Sequence, residues 1–258
     1  NVELPINKPG DLDDIPPGGQ EMAAHRRKDL RMIEQHDDLR RCLQSYLAGI
    51  AHADALIGIL MDAFDKSAYH NNTIIVLLSD HGYAFGEKDH FAKNTLWERS
   101  THVPFIMAVP GMTTPGSRSS RPVDLTCLYP TLVRLCDLPV PAGLDGADIT
   151  PLLQEPDMPW ERPAIIDFLS GNRAIRTEHW RYIHYDKGRA GEELYNLQSD
   201  PEEWYNLIGR FPGKANELKA WLPPSYADAV PTKKAYHFHK ETYSWTQRDQ
   251  KTKEQNSK

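Results

Sequence analysis

Asp80, His81 and Lys93 are the residues whose types and spacing in this 258-residue chain point to chemistry. Asp80-His81-Gly82 stands at the end of an apolar run, Thr73 to Ser79. A carboxylate oxygen and a neutral imidazole form a competent pair for a divalent cation. Lys93 follows in a loop rich in charge and aromatics, and its compact ammonium suits an anionic oxygen. His90 and His102 add imidazoles able to move a proton near neutral pH, or to serve as loop and structural groups. Tyr83 and Trp97 offer faces for a sugar ring or for a core. Arg173 and Arg176 suit an anionic group, or surface salt bridges. A tripeptide and a loop lysine recur by chance, so their meaning rests on the elements that hold them.

Those elements read as α/β. The run before Asp80 is apolar at every position, the pattern of a central parallel strand buried on both faces. In such sheets the ligand crevice lies at the carboxyl ends of the strands, where Asp80 stands. Pro5, Pro9, Pro16-Pro17 and Gly18-Gly19 make the first twenty residues extended, without helix. The next forty-five are helical in pattern: Leu39, Leu43, Tyr46, Leu47, Ile50, Ile57, Leu60, Met61 and Phe64 predict an amphipathic helix laid on a sheet. Asp54, on or near that stripe, reads as a buried structural acid. Residues 82–102 exceed the usual two to six residues of an α/β connection, which favours a functional loop. Pro104 to Val109 is a second buried strand and Asp124 to Leu138 a second helix. From Pro163, short strand-like runs divided by Gly171, Gly188 and Gly191 predict a small antiparallel sheet, then a helix around Lys214 to Leu222. Beyond Pro231, Tyr236, Phe238, Tyr243 and Trp245 strap a polar tail to the body, and the last ten residues are disordered.

The stretch Ser79-Asp80-His81-Gly82-Tyr83-Ala84-Phe85-Gly86-Glu87, His90-Phe91-Ala92-Lys93, Leu96-Trp97-Glu98 and Thr101-His102-Val103-Pro104-Phe105 resembles the type I sulfatases of the alkaline-phosphatase superfamily. It is similar to the branch containing iduronate-2-sulfatase and bacterial polysaccharide sulfatases. Further blocks, among them Tyr46 to Leu60, Tyr129-Pro130-Thr131-Leu132 and Glu193-Leu194-Tyr195-Asn196-Leu197, extend the resemblance over roughly residues 37 to 210. It implies part of a central, mostly parallel sheet flanked by helices over residues 1–160. A small antiparallel subdomain over 161–230 and a polar tail over 231–258 follow. By position it implies Asp80 and His81 as ligands of one Ca2+ ion, with Lys93 on the sulfate. His81 is the weaker ligand, because calcium prefers oxygen, and contact with the nucleophile or a sulfate oxygen is its other role. His90, Tyr83, Trp97 and Arg173 are candidate substrate contacts.

The family's nucleophile is a formylglycine matured from Cys-x-Pro-x-Arg or Cys-x-Ala-x-Arg. Cys42, Cys127 and Cys136 stand in neither motif. The resemblance therefore implies the C-terminal part of a sulfatase, with nucleophile and further cation ligands on an N-terminal part, and a secreted, periplasmic or lysosomal setting. Mean hydropathy of -0.60 describes a water-soluble chain, and no uninterrupted run approaches the ~18 apolar residues of a membrane span. A net charge of -6 argues against general nucleic-acid binding. The cysteine spacing excludes a zinc knuckle. Three functions stay open: sulfate ester hydrolysis on a sulfated carbohydrate, phosphate ester or phosphonate hydrolysis within the superfamily, and glycan binding without turnover.

Overall fold

The structure, a computed structural model, describes residues 2–226 and 236–247. Helix α1 (Pro17–Ala24) starts inside the stretch expected to lack helix, because a proline at the first helical position gives up an amide that would have no partner. Helix α2 (Arg27–Gln35) ends before Asp37, whose φ of 53° turns the chain out of the helix. Helix α3 (Leu39–Asp65) runs 27 residues and buries none of them. The sequence expectation of a helix laid on a sheet is therefore not met within this chain. Leu47, Ile50, Ile57 and Leu60 face outward, and Asp54 is exposed rather than buried. By length and composition α3 is also long and apolar enough to cross a bilayer. A search for unbroken apolar runs misses it, since His52, Asp54 and Asp62 interrupt the run while leaving the helix apolar on average.

Strand β1 (Ile75–Leu78) is followed by β2 (Ala84–Phe85), β3 (Phe91–Ala92), the single turn α4 (Glu98–Thr101) and β4 (Phe105–Ala108). β1 pairs with β4 antiparallel, Ile75 opposite Ala108 and Leu78 opposite Phe105. The sequence reading of a parallel strand buried on both faces named no such partner, and among the described residues β1 has this antiparallel neighbour. Leu77, Leu78 and Ile106 are exposed here. An apolar run reports the wish for burial and carries no information on strand direction.

Helices α5 (Leu128–Leu135) and α6 (Thr150–Gln154) precede strands β5 (Ala164–Phe168), β6 (Asn172–Arg176), β7 (Trp180–His184) and β8 (Glu192–Asn196), and α7 (Pro212–Lys219) closes the unit. The four strands form an antiparallel sheet in sequence order. Alternation gives it two apolar faces. Ala174, Ile183 and Tyr195 pack with Ile15, Met22, Ala23, Leu96 and Trp97. Ile175, Tyr182 and Leu194 pack with Ala215 and Leu218 of α7. Each Ile, Leu or Met among these contributes about 1.5–3 kcal/mol on burial. The first cluster joins the start of the chain, the loop after β1 and the sheet within one compact unit, residues 1–223. Residues 224–258 form a second unit. Within it β9 (Tyr236–His239) and β10 (Ser244–Gln247) make a hairpin, with Phe238 and Trp245 rings 4.7 Å apart. The disorder expected for the last ten residues falls outside the described ones.

Candidate active site

The site is built where β1 ends. The Ser79 amide donates to Pro104 O at 3.2 Å and the Gly82 amide to Ser100 O at 2.9 Å, which brings both ends of the 82–102 loop together. Gly82 is there because of space: a Cβ would lie 2.1 Å from Arg99 O. Between these clasps Asp80 projects outward, its side chain 82% exposed, with Oδ1 3.6 Å from Nε2 of His81. His81 Nδ1 lies 2.9 Å from Gly82 O. A carbonyl only accepts, so Nδ1 carries the proton and Nε2 presents its lone pair. Lys93 donates to that lone pair, Nζ to Nε2 2.8 Å. Thus the structure brings Asp80, His81 and Lys93 to one exposed point, although the imidazole and the ammonium stand 12 positions apart in the chain.

Beneath that point the loop is held by two devices. β2 and β3 form a short hairpin where Tyr83, Phe85 and Phe91 pack together and Tyr46 of α3 packs on Tyr83 and Phe85, centroids 4.9–5.7 Å apart. These rings and Asp38, Arg41, Cys42 and Ser45 line an open cleft of about 390 Å³. The second device is a buried set of charges. Trp97 donates its indole N–H to Glu193 at 2.8 Å, and Tyr185 and Tyr195 donate hydroxyls to the same carboxylate. Burial raises the Glu193 carboxyl above its usual range despite those three donors. Arg181 donates to Leu96 O at 2.7 Å and pairs with Glu98 and, at 2.7 Å, with Glu203. Burial pushes Glu203 up to about 7 against the pull of Arg181. Glu98 is also partly buried, yet His102, Arg181 and Arg176 together hold its carboxyl well below the usual range.

Three of the sequence candidates for substrate contact sit elsewhere. His90 is fully buried, Nδ1 3.1 Å from Ala23 O and Nε2 3.0 Å from Lys93 O. Trp97 is 3% exposed and serves Glu193. Arg173, almost wholly buried, pairs with Asp167. Tyr83 alone of the four borders an open cleft. The buried Glu193, Glu203 and Arg181 were not singled out by sequence reasoning. Their one signal was the two-residue period of 192–196, which places Glu193 on the face of Tyr195. Cys127, buried with Ile149 and Leu152, has its thiol pushed up to about 12 by burial, which removes it as a nucleophile at neutral pH. All three cysteines are free.

A divalent cation finds part of a shell here. Asp80 supplies exposed oxygens, while the His81 lone pair is already taken by Lys93. Among the described residues no group of three His, Cys, Asp or Glu side chains could hold a metal. Six to eight oxygens are the usual calcium shell, so Asp80 fits such an ion only together with ligands from outside the described residues.

Comparison with known proteins places these features. The sulfatase family model matches residues 15–138, and the model for the C-terminal part of N-sulphoglucosamine sulphohydrolase matches residues 86–222. A sulfatase of Formosa agariphila is 35% identical over 235 residues, 88% of this chain and 45% of its own length. An ulvan-active sulfatase of the same organism is 30% identical over 80% of this chain and 43% of its length. Human arylsulfatase K is 32% identical over 65% of this chain and 33% of its length. The chain thus spans less than half the length of these relatives. A solved structure in complex with its substrate D-glucosamine-2-N,6-O-disulfate superposes with a TM-score of 0.63 at 29% identity, over 68% of this chain and 38% of that one. A 2-O GAG sulfatase, at 24% identity, shares the fold with a TM-score of 0.68 over 85% of this chain and 51% of that one. With the C-terminal family model covering 86–222 and an α/β fold shared with solved sulfatases, the chain belongs to the sulfatase family.

Proposed function

We propose that this chain is the C-terminal part of an enzyme that hydrolyses sulfate monoesters on a sulfated carbohydrate, in the branch of the family near iduronate-2-sulfatase. The observation that carries the reading is the contact of Lys93 Nζ with His81 Nε2, 2.8 Å, beside an exposed Asp80. A sulfate ester presents non-bridging oxygens that gain charge as the bond to the leaving alkoxide breaks. Lys93 is an exposed cation placed to meet them. His81 holds that ammonium at the end of β1 and, with Nδ1–H fixed on Gly82 O, keeps an acceptor turned toward it. Asp80 contributes oxygens to a Ca2+ site, and the ion when bound adds positive charge where the sulfate sits. The nucleophile, a formylglycine, and the remaining cation ligands come from an N-terminal part of the same protein. That part also covers the outward apolar faces of α3, β1 and β4.

The carbohydrate reading is supported by the ulvan-active relative and by the disulfated glucosamine in a related solved structure. A sulfated-glycan substrate supports a secreted, periplasmic or lysosomal setting. The test is sulfate release from a sulfated oligosaccharide by the complete enzyme, before and after chelation and calcium replacement, beside the matching phosphate ester. Loss on chelation, recovery with calcium and preference for the sulfate ester are expected. Full activity after exhaustive chelation removes the calcium assignment. Preference for the phosphate ester moves the protein to the phosphate-hydrolysing side of the superfamily.

A further inference from the structure

We propose that His90 is a positioning residue that holds Lys93 where it grips the anion. The proposal rests on the reading of Lys93 as the sulfate-binding group. His90 has no exposed surface. Its Nδ1 faces the carbonyl of Ala23 in α1 at 3.1 Å, and its Nε2 faces the carbonyl of Lys93 itself at 3.0 Å. Its own backbone is clamped as well, the carbonyl accepting from the Gly86 amide at 3.0 Å and the amide donating to Glu87 O at 3.1 Å. A carbonyl only accepts, so a neutral ring donates to one of these oxygens, and with its proton on Nε2 it ties the peptide of the working lysine to a ring seated beside α1.

Such a tie has something to hold. Ala92 and Asn94, on either side of Lys93, have φ of 75° and 80°. L residues enter that left-handed region at a cost, and a chain that does so twice around one side chain needs an anchor to stay there. The His90 Nε2 bond meets the peptide between those two residues. A buried histidine that merely filled the core would need no donor on that carbonyl.

Glutamine and asparagine separate the two ring nitrogens. Gln places an amide donor near the Nε2 position and keeps the bond to Lys93 O, whereas Asn places its donor near Nδ1, facing Ala23 O, and loses the bond to Lys93 O. The experiment compares H90Q, H90N and K93A with wild type in the complete enzyme, by inhibition with inorganic sulfate, KM for a sulfated oligosaccharide and thermal midpoint. H90N is expected to weaken sulfate binding and raise KM by about 10- to 100-fold, the range for a displaced binding group. H90Q should stay close to wild type, at a similar thermal midpoint. Equal effects of H90N and H90Q on sulfate, or no effect of H90N while K93A abolishes binding, overturn the proposal. If K93A leaves sulfate affinity unchanged, the reading of Lys93 fails first and the proposal with it. Should both His90 variants fail to fold, the Nε2 signal of His90 in wild type decides. A shift with added sulfate that is absent in K93A supports the tie, and an unmoved signal overturns it.

Discussion

At the scale of single residues, the site divides into groups that face solvent and groups that hold them. Asp80 and Lys93 are exposed, so replacing them should change chemistry with little change in folding. Trp97 is the opposite case. Its indole N–H is one of three donors to a carboxylate with no access to water. Trp97→Phe keeps most of the apolar volume and removes that bond, so a destabilisation of about 1–3 kcal/mol is expected from chemical denaturation. A variant as stable as wild type would mean that Glu193 has another source of donors. The sequence made Asp80, His81 and Lys93 legible because each is of a type that does chemistry and lies in a run whose order resembles a family. It left His90, Trp97 and Arg173 open between substrate contact and structural roles, because residue type says what a side chain is able to do and nothing about which way it faces. All three are as buried as the aliphatic core beside them.

At the scale of elements, the 82–102 loop behaves as a lid bolted to the sheet. Gly82 permits its first clasp, since any Cβ there meets the Arg99 carbonyl. Gly82→Ala should move Asp80 and His81 together, and is expected to lower both stability and turnover, read as a reduced thermal midpoint and a reduced kcat. The second bolt is sensitive to pH. Glu203 is a buried acid with its carboxyl raised from 4.5 to about 7. A raised acid binds more protons folded than unfolded, so its contribution is complete below 4.5 and is lost as pH rises through about 7. The loss is of order 3 kcal/mol. Glu203→Gln should flatten the fall of thermal midpoint between about pH 5 and about pH 8. An unchanged slope would assign the pH response elsewhere. Loop length alone announced a special segment, and the antiparallel strands were legible from alternation and glycine breaks. The antiparallel pairing of β1 with β4 was not, because local sequence carries no term for strand direction.

At the scale of the whole molecule, the described fold leaves apolar faces of α3, β1 and β4 open. Surfaces of that kind belong against a partner. This chain alone should self-associate and bind a hydrophobic dye, and light scattering would report it; a monodisperse, dye-free monomer would contradict the account of those faces. Composition predicted none of this, since a helix with its stripe outward has the same sequence pattern as one with its stripe inward. The sulfatase reading itself is tested most directly by K93A in the complete enzyme, assayed for sulfate release from a sulfated oligosaccharide. The account predicts a fall in kcat/KM of at least about 100-fold, the size of losing one transition-state charge contact, with the thermal midpoint unchanged. Wild-type turnover by K93A would contradict it.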